Sequence, residues 1–149
     1  MKVNWTTLAI GVLVVGGVAI SLAKIGAGIG AGPGIGPQGE RVAVRVPEKL
    51  SLTAQKGQAA FAANCARCHG DSASGTDQGP PLVHDIYNPG HHADQAFFLA
   101  AKNGVRAHHW PYGNMPPQPQ VSNGEVAAIV AYVRALQAAN GIEARPHNM

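Results

Sequence analysis

The 149-residue chain carries 11 Lys and Arg against 8 Asp and Glu, a formal net charge of +3 at pH 7. Lys2 and Lys24 account for two of those charges and the remaining basic residues are scattered, which excludes a nucleic-acid-binding face. Both cysteines lie in one short run, which excludes a secreted multi-disulfide framework, and leaves a buried cofactor as the natural staple for a soluble domain of about ninety residues with few aromatics.

Residues 1–25 read as an N-terminal membrane anchor or a signal segment. Leu8 to Ala23 is an unbroken apolar run, with Trp5 before it and Lys24 after it. Those flanks stand about 29 Å apart on a helix, close to the hydrocarbon thickness of about 30 Å, and an interfacial Trp with a snorkelling Lys suits a single spanning helix. The alternative is a cleaved signal, because Ser21-Leu22-Ala23 offers small residues at a plausible cleavage site. Residues 26–50 form a Gly/Pro-rich linker and an extended lead-in. The tract Ile25–Gly39 cannot pack a core and reads as a flexible tether. Glu40 to Lys49 alternates polar and apolar residues but meets Pro47.

Residues 51–142 read as the folded domain, with 143–149 as a tail. The first predicted helix is capped by Thr53 and runs from Ala54 to about Ala63, directly into the cysteines. Asp71 to Gly90 is rich in Gly, Pro, Ser and Asp and reads as loop. Asp94 caps a second predicted helix over Gln95–Lys102, stopped by Asn103-Gly104. Another irregular stretch, Val105 to Val121, precedes a Ser122-Asn123-Gly124-Glu125 capping box. That box opens a long helix to about Ala139, with Val126, Ile129, Val130, Val133 and Leu136 as its apolar stripe. No internal repeat or βαβ alternation is visible.

Cys65-Ala66-Arg67-Cys68-His69 has the C-x-x-C-H spacing of covalent haem attachment. Two thiols separated by two residues reach the two vinyl groups on one porphyrin edge, and the adjacent imidazole is held under the iron. A thioredoxin-like redox pair needs a strand before it. A zinc site needs two further ligands, and His84 and His91 lie outside the usual spacing.

From about Leu52 to Gly141 the sequence resembles the class I cytochrome c family, in its membrane-anchored bacterial form. Gly57 and Phe61 precede the first cysteine by eight and four positions, as in that family, and Tyr132 matches the aromatic residue of its C-terminal helix. The resemblance implies an all-α fold class, a small helical domain around one covalent haem c. Gly79-Pro80-Pro81-Leu82 resembles the segment whose proline carbonyl, here that of Pro80, accepts the free N–H of the proximal histidine. Gly113-Asn114-Met115-Pro116 resembles the loop that carries the second axial ligand, so the resemblance gives His69 and Met115 as the metal ligands. Trp110 and Tyr112 are candidates to hydrogen-bond a haem propionate. His91-His92 and His108-His109 are open to three readings: a second metal, the flank of a haem edge or docking face, or ordinary loop histidines.

With both axial positions filled, the implied function is one-electron transfer without a small-molecule substrate. The expected donor is a quinol-oxidising complex or dehydrogenase and the expected acceptor an oxidase or similar complex, with no nucleic acid as partner. The expected location is the bacterial inner membrane, by a single pass, with the haem domain in the periplasm; after signal cleavage it would be a soluble periplasmic carrier. Two other readings stand beside a free carrier, namely a fixed haem subunit of a larger membrane oxidoreductase and a haem enzyme or sensor.

Overall fold

The computed structural model describes residues 40–145. The anchor or signal segment at 1–25, the Gly/Pro tract to Gly39 and the last four residues of the tail lie outside them. Among the described residues there is no strand, and the helices are α1 (Leu52–Asn64), α2 (Ala66–His69), α3 (Asp94–Asn103) and α4 (Asn123–Ala139), with a 3₁₀ turn at Asp85–Tyr87. The described residues form an all-α domain, as the resemblance implies.

Helix α1 begins two residues earlier than a Thr53 cap predicts. Ser51 is the cap, its hydroxyl accepting the Ala54 N–H at 3.1 Å, and Thr53 falls inside the first turn. Asp94 likewise is the first helical residue of α3 and not its cap; the cap position is Ala93, without a side-chain bond. An acidic residue at that point still favours the positive end of the helix dipole. The capping box of α4 forms in full, with Glu125 N–H donating to Ser122 Oγ and Ser122 N–H to Glu125 Oε2. These bonds hold the exposed Glu125 carboxyl below its ordinary pKa. Within the predicted loop of residues 71–90 the 3₁₀ turn is nucleated by His84, whose Nδ1 accepts the Ile86 N–H at 3.2 Å.

The core is the crossing of α1 and α4. A Cβ built on Gly57 would stand 1.8 Å from the carbonyl oxygen of Ala128 and 2.4 Å from its carbon, so the two backbones meet with no side chain between them. One turn further along, the fully buried rings of Phe61 and Tyr132 pack with centroids 5.7 Å apart and planes tilted by 59°, an arrangement that adds to simple burial. Val133 and Leu136 complete the buried stripe of α4.

The stripe continues into a polar residue, Gln137, which is equally buried. Its amide donates to the carbonyls of Leu82 at 2.8 Å and Tyr87 at 3.1 Å, and its oxygen accepts from Arg134 at 2.7 Å. Arg134 also reaches Asp94 on α3 and the carbonyls of Tyr87 and His92, and its guanidinium lies 5.0 Å from the centre of the Phe97 ring. This fork ties α4 to α3 and to the stretch that runs from the 3₁₀ turn into α3. Every buried side-chain polar atom among the described residues has a partner, as a stable core requires.

The lead-in of residues 40–49 is extended but packs on the helical body and not apart from it. Val42 N–H donates to Ser74 O at 2.9 Å, and Arg45 exchanges backbone hydrogen bonds with the Asn140 side chain at 2.9 and 2.8 Å. Arg45 also donates through its guanidinium to Ala139 O.

Gly57→Ala drives a methyl into a carbonyl that two helices hold in place. It should destabilise the holoprotein by about 3 kcal/mol in urea unfolding. Gly124→Ala, whose nearest atom beyond its neighbours would be Ser122 Oγ at 3.9 Å, should stabilise it by up to about 1 kcal/mol through helix propensity. Equal effects at the two sites would contradict the close crossing.

Candidate functional site

Helix α1 ends where the cysteines begin. Cys65 N–H still donates to Phe61 O at 2.8 Å, and His69 N–H donates back to Cys65 O at 2.9 Å. The five-residue motif is thus one short helical turn, α2, hung from the buried end of α1. Cys65, Cys68 and His69 all face a cavity of about 780 Å³, within the range of cofactor pockets. Most of its wall is apolar side chain and backbone, with Phe61, Leu82, Phe97 and Ile129 among the contributors.

Both thiols are unpaired in this structure. Burial, with a smaller contribution from Cys68, pushes the Cys65 thiol up to about 11. Redox-active cysteines carry the opposite shift, toward thiolate.

His69 Nδ1 lies 2.8 Å from the carbonyl oxygen of Pro80. A carbonyl can only accept, so the proton is on Nδ1 and the lone pair on Nε2 is left for a metal. Burial lowers the His69 pKa, and the Pro80 bond opposes that shift in part. The loop that brings Pro80 there is held by Gly75 N–H to His69 O at 2.7 Å and by Thr76 Oγ1 to Cys68 O at 2.5 Å.

Met115 lines the same cavity as His69. Its backbone pairs with Val105 in an isolated antiparallel bridge, N–H to O at 2.9 Å and O to N–H at 3.0 Å. Gly104 makes that pairing possible: its φ is +74°, and a Cβ there would lie 2.4 Å from Met115 O. A side chain would be strained by the backbone angle and blocked by the contact. Asn114 Oδ1 accepts the Ala107 N–H at 2.9 Å, so the methionine is carried on a braced loop.

Trp110 and Tyr112 also line the cavity. The Trp110 N–H is engaged by Tyr87 Oη at 3.0 Å, while Tyr112 Oη accepts the Glu40 N–H at 2.6 Å and keeps its own proton to donate. Burial raises the Tyr87 hydroxyl to about 12, the Trp110 bond offsetting part of the shift.

Two positioning residues, Arg134 and Gln137, escaped the sequence reading. The available signal was Gln137 itself, seven residues after Val130 on the apolar stripe of α4. A polar residue at such a place must be satisfied by partners from elsewhere.

The donor set fits a covalent haem: two thiols on one wall, an imidazole with its free nitrogen fixed by a backbone bond, a thioether on the same cavity, and apolar surroundings. A family model described as cytochrome c matches residues 54–137, more than half of the chain. No curated protein matches the sequence.

Proposed function

From membership of the cytochrome c family, to which this chain belongs, we propose that it is a one-electron carrier whose single haem c is bonded to Cys65 and Cys68 and ligated axially by His69 and Met115. Covalent haem c and haem-based electron transfer come with the family; the ligand pair, the partners and the location are the proposal. When bound, the haem provides a one-electron couple whose potential depends on axial ligand, hydrogen bonding and burial.

The observation that carries the ligand assignment is the paired bracing of His69 and Met115 on one cavity. Pro80 O holds the His69 tautomer and makes Nε2 a better donor. The bridge to Val105 fixes the Met115 backbone before any ligand bond forms. Both donors are therefore set in place with little freedom to rearrange, which suits a site that must keep one geometry in two oxidation states. With two protein ligands in the axial positions, no coordination place remains for a substrate, and the chain acts as carrier and not as enzyme.

Ligation by Met115 sulfur gives ferric protein a weak near-infrared charge-transfer band. Met115→Ala should abolish it, lower the reduction potential and allow the reduced protein to bind carbon monoxide. A wild-type protein without the band, or a variant that retains it, would contradict the assignment.

The proposed donor is a quinol-oxidising complex or dehydrogenase and the proposed acceptor an oxidase or similar complex, met on the periplasmic side of a bacterial inner membrane. Among the described residues no helix is long and apolar enough to cross a membrane. The support for an anchor is therefore the sequence from Trp5 to Lys24 and the Gly/Pro tract after it. An anchored form should stay with membranes through high-salt and alkaline washing, because apolar burial does not respond to ionic screening. A form starting at Gln38, exported by a substitute signal, should be soluble with an unchanged haem spectrum. A mature N-terminus at Lys24 would contradict the anchor.

A further inference from the structure

Two histidine pairs, sixteen positions or more apart in sequence, converge in space, and His92, His108 and His109 of them line the cavity. The first pair ends a turn built on Asn88. Its side-chain oxygen accepts the N–H groups of Gly90 at 2.9 Å and His91 at 3.2 Å, and its carbonyl those of His91 at 3.0 Å and His92 at 2.9 Å. The second pair sits on the braced stretch before Met115. Across the gap the His109 ring is 5.5 Å from that of His91 and 5.4 Å from that of His92, centre to centre. One ring nitrogen from each of His91, His92 and His109 lies within 4.8 Å of the others.

The surroundings resemble those of a ligand set more than those of loose surface rings. His92 Nδ1–H donates to Ile86 O at 2.6 Å, which fixes the tautomer with the lone pair on Nε2. Donation of the second ring N–H to a backbone carbonyl is what usually orients a metal-binding imidazole. Arg134 holds the His92 carbonyl at 2.5 Å. His108 is fixed in the same way, Nδ1 to Arg106 O at 2.8 Å, and its ring centre is 4.1 Å from that of His109.

A cation at about 2.0–2.1 Å from each nitrogen would draw the three nitrogens to about 3.3 Å from one another in a tetrahedron. His109 is exposed and can rotate to close that difference. Three imidazoles without a carboxylate favour a first-row ion of borderline softness over magnesium or calcium.

We propose that His91, His92 and His109 form a second metal site, separate from the haem ligands, that takes a divalent first-row cation such as Zn²⁺, with its fourth position open to solvent. Such an ion would clamp the Asn88 turn to the stretch before Met115 and stiffen one wall of the haem cavity. The proposal stands on the histidine geometry and requires that none of these three histidines is the second haem ligand, which rests on the Met115 assignment above.

The test is calorimetric titration of chelator-treated ferric holoprotein with Zn²⁺. One equivalent should bind, with a rise in Tm at saturation and no change in the haem spectrum. His91→Gln and His109→Gln should each weaken binding at least about tenfold. Absence of saturable binding, or wild-type affinity in both variants, would overturn the site. Should a variant fail to load haem, the wild-type protein decides the matter: Zn²⁺ should protect His91, His92 and His109 from diethyl pyrocarbonate, and equal modification with and without the ion would overturn the proposal.

Discussion

Where α1 crosses α4, Gly57 lies against the Ala128 carbonyl with no side chain between them, and the placement of the whole site follows from that contact. The close approach brings Phe61 and Tyr132 together. Their burial fixes the last turn of α1, and Cys65 follows at once, its N–H still bonded to Phe61 O. The attachment motif therefore starts from a fully buried point of the core. A larger residue at 57 would separate the helices and carry the motif away from the cavity it lines.

Rigidity at the other side of the cavity has a different source. No helix carries Met115; two backbone hydrogen bonds to Val105, the left-handed Gly104 and the Asn114 bond to Ala107 do that work. Pro80 plays the matching part for His69. The two side chains are thus oriented by main-chain groups. Arg134 and Gln137 extend the bracing to the loop between the 3₁₀ turn and α3. Arg134 also holds the His92 backbone, and His92 and His109 line the cavity, so the proposed cation site and the haem cavity share a wall.

The features most legible in the sequence were those with local causes. The capping box at Ser122, the stop at Asn140-Gly141 and the helical spacing of the α4 stripe depend on residues a few positions apart, and all three appear. The cysteine motif and the pair Gly57 and Phe61 were readable because haem attachment and helix crossing demand fixed spacings. The Ser51 cap was misplaced by two residues, because Ser51 and Thr53 offer the same hydroxyl and only the folded turn selects between them. The Val105 to Met115 bridge and the fork of Arg134 were invisible, since each joins loops or elements by tertiary contact alone. The histidine pairs were noticed, but their convergence depends on the Asn88 turn and on Arg134, neither of which has a sequence period. The packing of residues 40–49 was hidden for the same reason: Arg45 meets Asn140 across 95 positions.

A covalent haem on Cys65 and Cys68 is the bond around which the cavity is arranged, and extraction with acidified acetone followed by the intact mass of the polypeptide is its sharpest test. The haem should stay on the chain, the mass should be that of the polypeptide plus one haem, and replacing both cysteines with alanine should leave the bare polypeptide. Haem recovered in the acetone, with the wild-type chain at its unmodified mass, would contradict it.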